Sequence, residues 1–143
     1  MKPNRLYFLL FFFLINGIIL AQSSVKILDL GVEPQENISQ TSDVQIEIFF
    51  KINQIDIAQN VLVDFGTVQN GNDIASFTAQ VIPNGTGYAL SYNGNTFPVN
   101  ESTYKAKFIV SLTQQQYHDL SCITLKVQDN TGQFSNILTL GNN

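Results

Sequence analysis

Apolar and polar residues alternate along most of the chain after residue 25, and this two-residue period is typical of β-strands with one buried face. The clearest case is residues 44–53 (VQIEIFFKIN), where every second residue from Val44 onward is apolar. Phe49 is the one large apolar residue on the opposite face, which predicts a lightly covered patch there. Residues 104–112 (YKAKFIVSL) show the same alternation. These two segments are therefore predicted to be core strands.

Similar but shorter patterns occur along the rest of the chain, separated by segments rich in Asn, Gly, Gln and Pro. They predict further strands at residues 25–32, 60–68, 74–82, 88–92 and 95–99. Gly66 is interpreted as a bulge or a close backbone approach, and Pro34 and Pro83 as strand ends. Residues 113–120 (TQQQYHDL) are the only local helical candidate and are predicted to cross between sheets. Regular strand spacing without a long helix predicts an all-β antiparallel two-sheet sandwich of about 7–9 strands.

The last stretch, residues 122–140, is predicted to be a hairpin. Ile123, Leu125 and Val127 alternate with polar residues, and Asp-Asn-Thr-Gly at 129–132 then supplies turn residues. A second apolar run over residues 134–140 completes the hairpin with a four-residue connection.

This hairpin also carries a family resemblance. The pattern I-x-L-x-V-x-D, then N-T-G, then F-S-N and an apolar strand resembles the closing hairpin of bacterial immunoglobulin-like (Ig-like) and fibronectin type III-like domains. The resemblance implies an Ig-like sandwich with this hairpin at its carboxyl-terminal end. It implies no activity, because such sandwiches host unrelated functions. Since the chain has one Cys and no Trp, the resemblance implies a variant without the Cys…Trp…Cys core.

The amino terminus has the organisation of a secretory signal peptide. A basic segment (MKPNR) precedes an apolar run at residues 6–20, and the small residue Ala21 follows. The run of about 15 residues is shorter than the roughly 20 that span a bilayer. We therefore expect a signal peptide at residues 1–21, cleaved after Ala21, and one Ig-like domain at residues 22–143. The processed protein is expected to be extracytoplasmic, periplasmic or secreted, with no stable membrane insertion.

The negative net charge of the chain argues against nucleic acids and anionic membrane surfaces as partners. The formal net charge is −4, and only 13% of residues are charged. Nucleic acids and anionic membrane surfaces attract clustered Lys and Arg, which this chain lacks. Asn, Gln, Ser and Thr must therefore supply much of the polar surface, and such a surface suits protein partners or sugars.

No motif predicts catalysis or a cofactor. His118 is the only His and Cys122 the only Cys, so a structural zinc site cannot be built from them. Asp119 beside His118 does not place a carboxylate across the ring from a nucleophile, as a catalytic triad requires. His118 is interpreted as a loop residue and Cys122 as a small, partly buried side chain at a strand start. We expect a non-enzymatic protein without catalytic, cofactor-binding or metal-binding residues.

Acidic residues give no stronger signal. Asp129 in the 129–132 turn is better explained as a turn former than as a calcium ligand, because no Asp-x-Asp-x-Asp series is present. Asp56, Asp64 and Asp73 fall near loops, but nothing in the sequence shows that they converge as paired carboxylates of a glycoside hydrolase must.

The aromatic and amide-rich hairpin at residues 88–97 is the candidate ligand site. Its members are Tyr88, Tyr92, Asn93, Asn95 and Phe97. Aromatic rings can stack on sugar faces and amides can bond sugar hydroxyls. Tyr88, Leu90 and Tyr92 are each two residues apart, however, so they share one face of the predicted strand, and both rings could instead pack into the core.

Two functional hypotheses follow. The first is an exported, non-enzymatic Ig-like module for protein interaction or a structural role at the cell envelope, with an exposed edge strand at 25–32 or at Pro98 receiving a partner strand. The alternative is a small carbohydrate-binding module using hairpin 88–97.

Overall fold

A computed structural model describes residues 22–34 and 43–141, so the predicted signal peptide at 1–21 lies outside the described residues. Within those ranges the chain forms nine strands and one short helix. They are β1 Ile27–Pro34, β2 Val44–Ile52, β3 Ala58–Gly66, β4 Ala75–Asn84, β5 Gly87–Tyr92, β6 Asn95–Pro98, β7 Lys105–Leu112, α1 Gln114–Asp119, β8 Cys122–Asp129 and β9 Leu138–Gly141.

The strands form two antiparallel sheets. One sheet has the order β1-β2-β7, and the other has the order β6-β5-β4-β3-β8-β9. The all-β, two-sheet sandwich predicted from the alternation is confirmed. Its core is built from the predicted apolar faces, and Phe65 of β3 and Phe108 of β7 are fully buried between the sheets. Burying each such ring contributes about 1.5–3 kcal/mol to stability.

Phe49, the apolar residue on the outer face of β2, has a specific partner. It lies directly opposite Gly31 of the edge strand β1, and its ring occupies the space that a side chain at position 31 would need. The Phe49 ring therefore covers the backbone of Gly31 and is partly buried. An aromatic residue that covers an edge glycine helps to fix the strand register.

β1 lies at the edge of the three-stranded sheet, as predicted, but it begins at Ile27 and continues to Pro34. The prediction that Pro34 lies beyond the strand is wrong. In β2, the backbone N–H and C=O of even-numbered residues point toward β7, as the hydrogen bond from Ile52 N to the Tyr104 carbonyl shows. The backbone groups of odd-numbered residues therefore point toward β1. Pro34 is opposite the even-numbered Ile46, and its nitrogen therefore faces away from β2, where no ladder bond is lost.

Pro83 does not end β4 either. β4 runs to Asn84, and Pro83 pairs in register with Tyr88 of β5. The pairing of β4 with β3 stops at Gln80, so one side of β4 is open at Pro83 and its missing N–H breaks no bond there. A two-residue turn containing Gly85, whose φ is 63°, then leads into β5.

Gly66 is a close backbone approach, one of its two predicted roles. A side chain there would meet the carbonyl of Gly71 at 2.6 Å. The register irregularity of β3 lies at the other end of the strand, between Ala58 and Asn60.

The final hairpin is present but less regular than predicted. Phe134 makes only an isolated bridge with Gln128, and β9 is four residues long. Between them the side-chain amide of Asn136 bonds both the N–H and the carbonyl of Ile27, at 2.8 and 3.1 Å. The chain leaves the ladder here because these bonds fasten it to β1.

The helix predicted within residues 113–120 is confirmed as α1, which connects β7 in one sheet to β8 in the other. A capping box starts it: the Thr113 hydroxyl accepts from Gln116 N, and the Gln116 side chain accepts from Thr113 N. No helix in the described ranges has the length and apolar character needed to cross a membrane.

Candidate functional site

The antiparallel topology sorts the loops into two groups. Successive strands run in opposite directions, so the connections β2–β3, β4–β5, β6–β7 and β8–β9 lie at one end of the sandwich. A hydrogen bond of 2.9 Å from Asn130 N to the Ile57 carbonyl joins two of these loops. We call this end the cavity end. The turn at Asn93 and helix α1 lie at the opposite end.

Three loops at the cavity end surround a cavity of about 490 Å³. Its walls come from residues 53–56, 86–88 and 99–104. Ile55 and Val99 are buried and close its base, while Asp56, Glu101 and Tyr104 are exposed around it. The cavity thus combines an apolar base with a polar, solvent-exposed rim.

Residues 100–105, from the β6–β7 connection to the first residue of β7, are held by their own hydrogen bonds, and we call them the Asn100 loop. The Asn100 side-chain oxygen accepts from the Ser102 N–H, the Ser102 hydroxyl and the Thr103 N–H, at 3.1, 2.8 and 3.1 Å. The Asn100 backbone accepts from Tyr104 N and donates to the Lys105 carbonyl. Because Asn can replace backbone partners in this way, the short loop has a defined shape.

That shape places Tyr104 in an uncommon conformation. Its φ is 49°, in the left-handed region that costs a residue with a Cβ about 1–2 kcal/mol. The side chain lines the cavity and is 39% exposed. The loop thus holds a large aromatic ring at the mouth of the cavity rather than in the core.

Glu101 is positioned by the absence of a side chain at Gly87. A Cβ at position 87 would collide with the Glu101 carboxylate, so the carboxylate lies against the backbone at the start of β5. Gly87 itself is buried. The φ of Gly87 is not positive, so a larger residue here would act by displacing the flexible, exposed Glu101 side chain.

The electrostatics of the cavity are acidic. Asp56 and Glu101 both line it, and neither side chain forms an ion pair or a hydrogen bond in the described part of the chain. No Lys, Arg or His is among the lining residues. Two carboxylates and no basic side chain among the lining residues give the cavity an acidic lining.

Asn53 lines the cavity but already has partners. Its side-chain oxygen accepts from Lys26 N at 2.6 Å, and its side-chain nitrogen donates to the Ser24 carbonyl at 3.1 Å. The amide therefore fastens the amino-terminal segment to the β2–β3 loop through its oxygen and one of its two N–H groups.

The structure separates the five residues of the predicted hairpin site. Tyr88 is partly buried against the core and also lines the cavity. Tyr92 packs on the rings of Phe77 and Phe108, with centroids 6.0 and 5.6 Å away, and burial raises the pKa of Tyr92.

The other three members of the predicted site do not join Tyr88. Phe97 is partly buried against the core. Asn93 and Asn95 are exposed at the type I′ turn at the opposite end of β5, and the φ of Asn93 is 48°. The hairpin therefore presents one ring to a cavity and no row of exposed rings.

His118 and Cys122 lie away from the cavity. The His118 side chain is 87% exposed in the last turn of α1, with Nδ1 3.5 Å from Asp119. A hydrogen bond from Gln115, followed by His118, lowers the pKa of Asp119. Cys122 begins β8, as predicted, but it is buried rather than partly buried, and its thiol donates to the Val68 carbonyl.

The predicted loop carboxylates do not converge. Asp64 lies on the outer face of the six-stranded sheet, where it accepts from the Ser76 hydroxyl at 2.7 Å and pairs with Lys126 at 3.7 Å. Asp73 accepts from the side chain and backbone of Thr67, and these bonds lower its pKa. Among described residues, no three His, Cys, Asp or Glu side chains are grouped to hold a metal ion.

Asp129 is a turn former, as predicted. Its carboxylate accepts from the Thr131 N–H, the Thr131 hydroxyl and the Gln133 N–H, at 2.9, 2.7 and 3.0 Å. A hydrogen bond from the Ser23 hydroxyl, followed by those from Thr131, lowers the pKa of Asp129 to about 2. All of these bonds stabilise the carboxylate.

Glu101 was not predicted from the sequence, and Tyr104 was wrongly predicted to be the first residue of the core strand 104–112, because it precedes β7 and is exposed. A usable signal was present, because strands that alternate in direction bring every second connection to the same end. Applied to the predicted strands, that rule groups Asp56, Tyr88 and the 100–104 segment from the sequence alone.

Comparisons of the chain with models of protein families, with curated protein sequences and with solved structures find no match.

Proposed function

We propose that this protein is an exported, non-enzymatic β-sandwich module that binds another protein through the loops of its cavity end. The observation that carries the proposal is the cavity itself. Three loops hold Tyr88, Tyr104, Asp56 and Glu101 around one opening, and the two carboxylates have no partner within the described residues. Loops held by a rigid sheet scaffold are where binding residues concentrate.

Binding is favoured over catalysis because the groups around the cavity lack a nucleophile with an adjacent base. Of the side chains considered for chemistry, His118 lies at the opposite end, and Cys122 is buried with its thiol bonded to the Val68 carbonyl. Aromatic and carboxylate side chains without such a pair suit recognition.

The strand order supports the Ig-like part of the proposal. β1, β2 and β7 form one sheet, while β3, β4, β8 and β9 belong to the other, so the chain crosses between the sheets several times. In sandwiches of the Ig-like and fibronectin type III-like kind, the chain also crosses between the two sheets, and the loops are grouped at the two ends.

Loop recognition has more support than addition of a partner strand. At one edge, Asn136 already bonds both backbone groups of Ile27 in β1. At another, β6 is four residues long and ends at Pro98. Short strands, Pro and side-chain caps are devices that block strand addition.

The alternative, a small carbohydrate-binding module on hairpin 88–97, has less support because Tyr92 and Phe97 pack toward the core and leave Tyr88 as the one ring open to a cavity. A glycan array separates the hypotheses. Saturable binding that is lost in Tyr88→Ala but kept in Val68→Ser, a variant of an exposed residue outside the hairpin, would favour the carbohydrate hypothesis.

Export rests on residues 1–21. Amino-terminal sequencing of the protein recovered from outside the cytoplasm should begin at Gln22. Recovery of the uncleaved chain from the membrane fraction would contradict the proposed export.

The binding proposal is tested by capture from an envelope extract of the source organism. Tyr104→Gly removes the ring at the cavity and tolerates the positive φ. Val68→Ser is the matched control, because Val68 is an apolar side chain, 64% exposed, in a loop at the opposite end. A partner captured by the wild type and Val68→Ser, lost with Tyr104→Gly, and rebound after purification supports the proposal. Capture that is insensitive to Tyr104, or no specific capture, contradicts it.

A further inference from the structure

The charged side chains that line the cavity are both acceptors. The carboxylates of Asp56 and Glu101 only accept hydrogen bonds when ionised. The donors among the lining side chains are neutral: the hydroxyls of Thr86, Tyr88 and Tyr104 and the amides of Asn53 and Gln54. A sugar hydroxyl needs only neutral donors and acceptors, whereas a cation with several N–H groups gains charge-assisted hydrogen bonds from both carboxylates. The balance of groups favours a cationic ligand.

The aromatic residues point to the same ligand chemistry. Tyr88 and Tyr104 line the same cavity as the two carboxylates. An ammonium or guanidinium group is attracted to the face of a tyrosine ring. Tyr104 is kept at the cavity by the hydrogen-bonded Asn100 loop despite its left-handed backbone, so the ring is in place before a ligand arrives.

The size of the cavity excludes a bare metal ion as the natural occupant. A volume of about 490 Å³ is far larger than an ion needs, and no third acidic, His or Cys side chain joins the two carboxylates in the described chain. The buried Ile55 and Val99 at the base offer an apolar surface. Arginine and lysine carry a long apolar stem below a charged head, which matches an apolar base with an acidic rim.

Resting on the proposed function, we propose that the cavity formed by Asp56, Tyr88, Glu101 and Tyr104 receives an arginine or lysine side chain of the protein partner. The stem of that side chain packs on Ile55 and Val99. Its charged head is shared between the two carboxylates and the two tyrosine rings.

The test is a titration of the purified, isotope-labelled protein followed by amide NMR shifts. The probes are N-acetyl-arginine amide and N-acetyl-lysine amide, with neutral N-acetyl-norleucine amide and a methyl glucoside as comparisons. We expect the two cationic probes to shift amides at residues 53–56, 86–88 and 99–104. The neutral probes should not. Raising the salt from about 50 to about 500 mM should weaken the response severalfold, since exposed charges are screened.

Variants locate the site. Asp56→Asn combined with Glu101→Gln removes both charges while keeping side-chain shape, and should weaken cation binding at least tenfold. The matched control is Glu33→Gln with Asp43→Asn, which removes two charges from exposed residues at the far end of β1 and β2. This control should bind like the wild type. Tyr88→Phe, which keeps the ring, should also retain binding.

Several results would overturn the assignment. They are equal shifts with norleucine amide, no shifts with either cation, binding that survives the Asp56/Glu101 variant, and an equal loss in the control pair. A response to the glucoside alone would make the cavity a sugar site instead. If cation binding fails while Tyr104-dependent capture of a partner persists, only the cationic assignment is wrong. If capture fails as well, the proposed function is wrong with it.

Discussion

Two turns at the cavity end are closed by the same kind of side-chain hydrogen bonding, but only one of them leaves side chains exposed to a ligand. Asn100 and Asp129 each follow or end a strand, and each side-chain oxygen accepts three hydrogen bonds from the next few residues. In the Asp129 turn, residues 129–133, the carboxylate is buried and also bonded to Ser23. In the Asn100 loop, Glu101 and Tyr104 remain at the surface of a cavity.

The difference comes from tertiary neighbours rather than from the turns themselves. The Asp129 turn lies against the amino-terminal segment, where Ser23 N also donates to the Phe134 carbonyl at 3.2 Å. The polar groups of this turn are therefore used for stability. The Asn100 loop is closed by its own bonds, which leaves the side chains at its surface free for recognition.

The largest expected change in unfolding free energy comes from the Asp129 turn, whose carboxylate is buried. Ser23→Ala removes a donor to a buried carboxylate and the acceptor of the Val25 N–H, so we expect a loss of about 2–3 kcal/mol of unfolding free energy. Ser102→Ala removes a similar but exposed bond in the Asn100 loop and should change stability by less than about 0.5 kcal/mol. Urea unfolding measures both. Equal losses would show that the two turns contribute alike.

The next largest change in stability comes from residues with a positive φ, and it has opposite signs in the two turns. Gly132 has a φ of 85°, and Gly132→Ala should destabilise the protein by about 1–2 kcal/mol. Tyr104→Gly relieves the same kind of strain and should stabilise by up to about 1 kcal/mol. Thermal unfolding distinguishes the signs. A destabilised Tyr104→Gly protein would mean that the ring contributes to folding and is not held for binding.

Acid should affect the Asp129 turn and not the Asn100 loop, which has no titrating group in its network. The Asp129 pKa is about 2 when folded, against an ordinary value of 3.8. Its contribution is therefore complete above about pH 4 and is lost as the pH falls toward 2, because the unfolded state takes up the proton first. Asp129→Asn should show a smaller loss of stability than the wild type over that window in urea titrations. Parallel curves for the two proteins would contradict the assignment.

The smallest effect is expected at the cavity. Asp56→Asn with Glu101→Gln should leave unfolding free energy within about 0.5 kcal/mol of the wild type, because both side chains are exposed and unpaired within the described chain. Circular dichroism during heating checks this. A large loss would mean that the carboxylates stabilise the fold and are not reserved for a ligand.

Much of the fold was predictable because burial repeats every two residues in a strand. The alternation in residues 44–53 and 104–112 identified β2 and β7 within two residues of their observed bounds. The capping residues around α1 and the Asp129 turn were predictable for a similar reason, since their partners lie within four residues. Pro34 and Pro83 were predicted wrongly because their cost depends on whether a neighbouring strand faces the missing N–H.

The candidate site was only partly predictable. Tyr88 was identified from residue type, but its supposed companions Tyr92 and Phe97 turned toward the core, and Asn93 lies at the opposite end. Glu101 depends on a glycine 14 positions earlier in the chain, and no local pattern reports that approach.

By itself, the sequence of this protein determined the strands, their buried faces and the turns closed by Asn and Asp, because each of these depends on neighbours a few residues away. Only the tertiary structure decided which edge each proline faces, that Asn136 fastens the β8–β9 connection to β1, and that three separate loops enclose one acidic cavity. Those features depend on contacts between segments distant in the chain, which form only when the two sheets pack.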